Sequence, residues 1–171
     1  MSRFRVFGVS GYSASGKTTV VEALVNALIR RGHIVATVKS SREDISPDDS
    51  TDTGRHWRAG ADSTVFLGPN CTSITHRRKL EIHDALLGVR ADLVLIEGMK
   101  ESDMPRFWCV TDTREIAVEE SNRSGIRAFI SRSEPSTSSS PGGRPILTLD
   151  DIEELVAIVE RDAVDVDLLG T

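Results

Sequence analysis

The sequence predicts an α/β fold in three layers, with a mainly parallel central sheet and helices on both of its faces. The first observation is residues 11–19, which match the pattern G-x-x-x-x-G-K-[ST] between a short apolar strand and a stretch with helical spacing. The second is a nearly all-apolar strand after that helix, which is typical of a parallel strand covered on both faces. Together they indicate a P-loop NTPase-like fold, with residues 11–19 as the P-loop.

The P-loop contains the residue types that a phosphate-binding turn needs. Gly11 and Gly16 permit backbone conformations that a side chain would obstruct, so that successive N–H groups point into one concavity at a helix N-terminus. Lys17 is expected to place an ammonium group on the outer phosphates. Thr18 offers a hydroxyl to Mg²⁺, and Thr19 can offer another to a phosphate nearer the sugar. The other residues assigned to this site are Ser13, Ala14 and Ser15.

Composition narrows the class of protein. The chain has 171 residues, which favours one domain, and a net charge of −5, which argues against broad binding of nucleic acid or membrane surfaces. Cys71 and Cys109 are too few for a disulfide framework. An apolar leader is missing, and no apolar run approaches ~18 residues, so we expect a cytoplasmic protein.

The elements follow in order from the P-loop. The first helix is predicted from Lys17 to Arg31, with its end at Gly32, and the next strand over 34–38. Residues 40–53 are polar and acidic, and we expect a mobile loop that faces the nucleotide, because loops at the carboxyl ends of parallel strands bind ligands. The later predictions are a short helix over 55–61, strands over 63–67, 92–98 and 106–111, a helix over 78–87, an apolar segment over 126–130, a flexible Ser/Pro/Gly loop over 131–144, a helix opened by a capping box of Asp150 and Glu153, and a solvated acidic tail over 162–171.

A carboxylate near the metal is expected at the end of the 92–98 strand. Asp92 and Glu97 are separated by roughly 16 Å along a strand, so both cannot reach one site. Phosphates bind beyond the carboxyl ends of the strands, which selects Glu97 as a catalytic residue and metal ligand. Gly98 is expected to let the backbone pass close to the phosphates.

Other charged residues leave alternatives open. Lys39 at the end of the second strand and Asp44 in the following loop could each reach the γ-phosphate or a metal-bound water, or could be solvated. The basic cluster that includes Arg55 could bind an anion or pair with neighbouring acids. The four histidines fall in separate elements, which argues against a zinc site.

Several blocks resemble the molybdopterin-guanine dinucleotide biosynthesis protein B (MobB) family. Besides the P-loop, they are the strand end at Val38-Lys39, the D-x-x-R-H-x-x-A-G-A block over 52–61, the D-L-V-L-I-E-G-x-K block over 92–100 with Pro105-Arg106, and residues 147–153. The second and third of these are more specific than the P-loop. The resemblance covers most of the chain in scattered blocks.

That resemblance implies a dimeric GTP-binding protein with weak GTPase activity. It implies that the protein uses GTP and Mg²⁺ and assists the guanylyltransferase that joins GMP to molybdopterin. Whether molybdopterin or its apoenzyme also binds is left open. By position, Lys100 and Arg106 become candidate anion contacts, and Asp52 and Arg55 line the substrate or nucleotide side. The chain departs from the family at Ser40 and Ser41, where many members have histidines.

Two other functions remain open at this point. A small-molecule kinase would share the P-loop but needs an arginine-bearing lid. A nucleotide-gated binding module would dock a partner without useful catalysis. No N-K-x-D motif is present in the chain, so the guanine preference comes from the resemblance.

Overall fold

The computed structural model describes residues 4–132 and 138–169. The chain divides into two compact units, one of the residues up to Ser40 and from Val89 onward, the other of Ser41–Gly88. The single domain expected for residues 1–171 stays a prediction. Among the described residues, no helix is both long and apolar enough to cross a membrane.

Strands and helices are numbered along the chain across both units. The strands are β1 (Arg5–Gly11), β2 (Val35–Lys39), β3 (Ser63–Leu67), β4 (Thr72–His76), β5 (Leu93–Glu97), β6 (Arg106–Cys109), β7 (Ile126–Ile130), β8 (Ser138–Ser139), β9 (Pro145–Leu147) and β10 (Val164–Asp165). The helices are α1 (Lys17–Arg30), α2 (Asp52–Arg58), α3 (Ile82–Ala85), α4 (Ile116–Asn122) and α5 (Ile152–Asp162).

The first unit is built on one mainly parallel sheet. Within the described residues its strand order is β2-β5-β1-β6-β7-β9-β8, and β10 pairs with the start of β1. The pairs from β2 to β9 are parallel, whereas β8 and β10 are antiparallel to their neighbours. Because parallel strands end at the same edge, this order gathers the ends of β2, β5 and β1 beside the P-loop.

Helices cover both faces of this sheet. Phe107 and Cys109 of β6 belong to a core cluster that includes residues of α1 and α5. Trp108 and Val110 belong to another cluster, which includes Ile116 of α4. Since successive side chains of a strand point to opposite faces, the two clusters lie on opposite sides of the sheet. The predicted three-layer α/β fold is therefore confirmed.

Helix α1 connects the P-loop to the core. Its buried residues recur at the spacing of one helix face: Val20, Val21, Leu24, Ala27 and Leu28. The helix ends at Arg30, and Gly32 follows with a φ of +94°, so the predicted helix is confirmed to within one residue. One face of α1 is thus fixed against the sheet while its N-terminus stays at the sheet edge.

The end of α1 is tied to two other elements by His33. Its Nδ1 lies 2.8 Å from Asp92 Oδ2, just before β5, and its Nε2 lies 3.0 Å from Glu160 Oε1 on α5. Arg31 adds a 2.8 Å contact to the same glutamate. Hydrogen bonds to Asp92 and then to Glu160 raise the pKa of His33, and the bond from His33 lowers the pKa of Glu160. Asp92 is therefore a structural residue at the start of its strand.

The stability that His33 contributes is expected to depend on pH. Because its folded pKa is raised, its contribution is complete below the unfolded value of ~6.5 and is lost as pH rises through the folded value. The pKa of Glu160 is lowered by the hydrogen bond from His33, so its carboxylate stays charged throughout the range in which His33 titrates. We expect His33→Gln to cost about 1 kcal/mol of unfolding free energy at pH 6 and less at pH 9. Urea unfolding at both pH values measures this, and a pH-independent cost would contradict it.

Unit Ser41–Gly88 contains a hairpin and two short helices. The predicted strand over 63–67 is confirmed as β3, and it pairs antiparallel with β4, which the sequence analysis missed. Helix α2 begins three residues earlier than predicted, because the Thr51 hydroxyl accepts a hydrogen bond from Gly54 N and so caps it there. The helix predicted over 78–87 is wrong in length: only α3 forms, without a side-chain cap, and Leu87 is exposed.

Three predictions about the last third of the chain need correction. Of the predicted flexible loop over 131–144, residues 133–137 lie outside the described residues, but β8 pairs with β9 and Ser140 is buried. The capping box that precedes α5 joins Thr148 with Asp151, two residues earlier than predicted. The acidic tail is not wholly solvated, because β10 pairs with β1 and Val166 is buried.

Candidate functional site

The P-loop forms a tight turn between β1 and α1. Gly11 has a φ of +147°, and a Cβ at this position would lie 2.5 Å from the carbonyl oxygen of Cys109. Gly16, at a φ of +92°, precedes α1 and provides no side-chain cap. The first turn of α1 has no acidic residue either, so its backbone N–H groups and partial positive charge are available to an anion. The geometry is that of a phosphate cradle.

Lys17 folds back over this cradle. Its Nζ atom donates a hydrogen bond to the carbonyl oxygen of Tyr12 at 2.5 Å, across the turn. The side chain is only half-buried. An ammonium group held at the opening of a phosphate cradle can exchange this carbonyl for phosphate oxygens at the cost of one hydrogen bond.

Glu97 lies beside the helix start, as the sequence analysis predicted. The Thr18 hydroxyl is 3.2 Å from each oxygen of the Glu97 carboxylate. Lys39, the cross-strand neighbour of Glu97 in the β2–β5 pair, places its Nζ 3.8 Å from Oε1. Asp92, by contrast, accepts a hydrogen bond from the backbone N of Ile34 at the other end of the strand. The structure thus brings Lys17, Thr18, Glu97 and Lys39 to one edge of the sheet.

The donor set at this edge fits Mg²⁺. A hydroxyl and a carboxylate are hard oxygen ligands, and Mg²⁺ on a nucleotide commonly takes one or two such protein groups and completes its shell with phosphate oxygens and water. Among residues 4–132 and 138–169, no group of three or more His, Cys, Asp or Glu side chains could hold a metal by itself. Thr18 and Glu97 would therefore hold the ion together with the phosphates.

Gly98 is a close-approach position. It has a φ of +102°, and a Cβ there would lie 2.7 Å from the carbonyl oxygen of Ser40. Its N–H donates to Val9 O at 3.0 Å, and its carbonyl accepts from Ser10 Oγ at 2.7 Å. The backbone of Gly98 therefore packs closely against Ser40, at the end of β2. Contact between Gly98 and phosphates stays a prediction.

Gly98→Ala is expected to lower the free energy of unfolding by about 3 kcal/mol, since it adds a clash with the Ser40 carbonyl to an unfavourable φ. Gly32→Ala is the matched control: Gly32 has a φ of +94° but no heavy atom within 4 Å of its virtual Cβ. The control should lose about 1 kcal/mol. Denaturant unfolding measures both, and equal losses would contradict the close approach at Gly98.

Arg106 does not face solvent. The side chain is fully buried, and its guanidinium donates to the carbonyl oxygens of Met104 at 3.2 Å, Met99 at 3.1 Å and Lys100 at 2.9 Å. Burial lowers the pKa of this guanidinium. In this conformation Arg106 braces the loop that follows Gly98, and direct anion contact stays a prediction that requires the loop to move.

Tyr12 links the P-loop to α4, a helix that the sequence analysis missed. Its hydroxyl donates to Glu119 Oε1 at 2.6 Å, and its ring lies edge-on to Trp108 with centroids 6.1 Å apart. The ammonium of Lys100 is 4.6 Å from the centroid of the Tyr12 ring. The bond to Glu119 is the main cause that raises the pKa of Tyr12.

A capping signal for α4 was present in the sequence, because Asp112 caps the turn at the start of this helix and Glu115 follows three residues later.

The remaining candidates lie in the unit Ser41–Gly88. Asp44 is exposed in a stretch without regular structure. Asp52 begins α2, and its Oδ1 lies 3.6 Å from Nη1 of Arg55 one turn later. This ion pair is the alternative that the sequence analysis left open for the basic cluster, and a nucleotide or substrate role for these residues stays a prediction.

Comparisons with known proteins agree on one family. The family model described as "Molybdopterin guanine dinucleotide synthesis protein B" matches residues 6–132. A Haemophilus influenzae protein named molybdopterin-guanine dinucleotide biosynthesis adapter protein is 30% identical over 108 residues, which is 60% of this chain and 61% of that protein. A Methanocaldococcus jannaschii protein, named as a candidate adapter of the same biosynthesis, is 40% identical over 101 residues, 57% of this chain and 42% of its own length.

Solved structures agree with the fold. The MobB homolog of Bacillus stearothermophilus matches with a TM-score of 0.65 and 30% identity, covering 91% of this chain and 94% of that one. Bacillus subtilis MobB matches with a TM-score of 0.73 over 94% of this chain and 98% of its own, at 24% identity, which supports the fold alone. Because the family model covers well over half of the sequence, from β1 to the end of β7, the chain belongs to the molybdopterin guanine dinucleotide synthesis protein B family.

Proposed function

We propose that the protein binds GTP with Mg²⁺, hydrolyses it slowly, and assists a guanylyltransferase in attaching GMP to molybdopterin. The observation that carries this proposal is the contact of the Thr18 hydroxyl with both oxygens of Glu97 beside the phosphate cradle. Such a pair is the usual protein contribution to a nucleotide-bound Mg²⁺. The pathway is supported by the relatives' names, which refer to molybdopterin-guanine dinucleotide biosynthesis.

Each residue of the site has a distinct role in this proposal. The N–H groups of the P-loop bind phosphate oxygens, and Lys17 neutralises the outer phosphates. Thr18 and Glu97 hold the metal. Glu97 also orients water for attack, and Lys39 keeps that carboxylate in place from the adjacent strand. When bound, Mg²⁺ supplies charge stabilisation at the phosphates.

The guanine preference is proposed from the pathway, because its product contains a guanine nucleotide. The partner is a guanylyltransferase, and molybdopterin or its apoenzyme is a further proposed partner. Slow hydrolysis is compatible with this role, because a GTP-bound state that lasts can be coupled to docking of the partner.

We also propose a homodimer. Several apolar side chains of the β3–β4 hairpin are half or more exposed: Val65, Phe66, Leu67 and Ile74. A two-stranded hairpin that leaves such residues in water favours burial by another surface, and a second copy of the chain supplies one. Sedimentation equilibrium tests this directly: a mass of one chain at every concentration would contradict it.

Single-turnover reactions with radiolabelled GTP and Mg²⁺ separate this function from the other two. We expect slow release of inorganic phosphate with water as the acceptor, and no dependence on an added hydroxyl compound. Nucleoside diphosphate that forms only when an acceptor is added would instead favour a kinase. Tight binding without phosphate release would favour a nucleotide-gated module.

A further inference from the structure

A second cation lies against the P-loop. Arg132 follows β7, which is parallel to β1 and separated from it by β6, so both strands end at the same edge of the sheet. Its Nε and Nη2 atoms are each 3.0 Å from the position that a Cβ at Gly16 would occupy. The guanidinium therefore lies directly on the backbone at the N-terminus of α1.

Buried Cys109 provides an independent reference point for this placement. Burial raises the pKa of its thiol to about 12, and the charges of Lys17, Glu97 and Arg132 act on it as well. Lys17 and Arg132 both favour the thiolate, whereas Glu97 opposes it. Since such interactions fall off with distance, Arg132 lies within electrostatic range of the same buried thiol as Lys17 and Glu97.

Arg132 forms no ion pair with any described residue. The side chain is exposed, and no carboxylate within residues 4–132 and 138–169 forms an ion pair with it. Other arginines of this unit are occupied: Arg123 pairs with Glu119 and Glu101, and Arg144 with Glu120. Two cations, Lys17 and Arg132, therefore lie near the positive end of α1, and both favour the binding of an anion there.

The sheet order indicates which part of a nucleotide would meet this guanidinium. Glu97 and Lys39 lie on the β5–β2 side of β1, where the metal and the outer phosphate are proposed to bind. Arg132 reaches the P-loop from the opposite side, across β6. A triphosphate that extends over the loop from Glu97 would therefore bring its inner phosphates and sugar toward Arg132.

We propose that Arg132 binds the inner phosphates of the nucleotide through a contact that GTP and GDP share. This inference rests on the nucleotide binding proposed above. A guanidinium presents parallel N–H donors that match two phosphate oxygens, which a lysine at the same place cannot reproduce. Arg132 is thus a second phosphate-binding cation that acts from β7, beside Lys17 on α1.

Titration of GTP and GDP against Arg132→Gln, with Mg²⁺ present, tests the assignment. We expect the dissociation constants of both nucleotides to rise about 10-fold, the effect of one lost charge-assisted contact, and Arg132→Lys to recover part of the loss. Arg127→Gln is the matched control, because it removes the same charge near the other end of β7, where Arg127 pairs with Asp162. Its binding constants should match wild type.

Unchanged affinity of Arg132→Gln for both nucleotides would overturn the assignment, as would a loss for GTP alone with GDP unaffected. Failure of the wild-type protein to bind either nucleotide would instead defeat the proposed function. Thermal melting of each variant checks that it is folded. If Arg132→Gln does not fold, the affinities of Arg132→Lys for GTP and GDP provide the test.

Discussion

Replacing Lys17 with alanine is expected to weaken GTP binding about 100-fold, which corresponds to two lost charge-assisted interactions with phosphate oxygens. The ammonium already lies over the cradle, where it donates to Tyr12 O at 2.5 Å. Its removal leaves the outer phosphates facing only backbone N–H groups. Calorimetric titration of GTP with Mg²⁺ measures the change.

Lys79→Ala is a suitable control for the Lys17 variant, because Lys79 is exposed and lies in the other unit. It removes the same formal charge from a residue outside the P-loop. If the Lys17 variant bound GTP within a few-fold of wild type, the cradle would not hold phosphates in the proposed way.

Glu97→Gln is expected to lower Mg²⁺-dependent hydrolysis about 100-fold, the scale of one lost electrostatic contribution at a reacting phosphate. Glutamine keeps the shape and can still accept from the Thr18 hydroxyl, but it lacks the negative charge that a divalent cation needs. Nucleotide binding measured without Mg²⁺ should therefore be unchanged. Phosphate release over a Mg²⁺ titration gives both the maximal rate and the metal affinity.

Asp92→Asn makes the same chemical change at the other end of β5. Hydrolysis should be unaffected by it, whereas the free energy of unfolding should fall because Asp92 binds His33 and the backbone of Ile34. Undiminished turnover of Glu97→Gln at saturating Mg²⁺ would remove this carboxylate from the mechanism.

The contrast between Glu97 and Asp92 shows why the position of Glu97 beside the P-loop could be predicted from the sequence. Strand direction and the position of the P-loop decide which end of a parallel strand meets phosphate, and both follow from local patterns. The structure confirms the geometry, with Glu97 at Thr18 and Asp92 at Ile34.

Other features could not be predicted in this way because they depend on tertiary partners. Arg132 reaches Gly16 only because β6 and β7 continue the sheet beyond β1, an order that local patterns do not encode. The buried state of Arg106 follows from carbonyl oxygens of a loop without regular structure. Strand β4 was not predicted, because Ile74 is its only large apolar residue and the strand therefore shows no apolar alternation.

Competition between GTP and ATP for the wild-type protein, with Mg²⁺ present, tests the central claim most directly. A fluorescent GTP analogue bound at the P-loop serves as the probe, and each unlabelled nucleotide is titrated against it. We expect GTP to displace the probe at an about tenfold lower concentration than ATP, or lower still, as a guanine-selective site requires. Equal potency of the two nucleotides, or displacement by neither, would contradict the account.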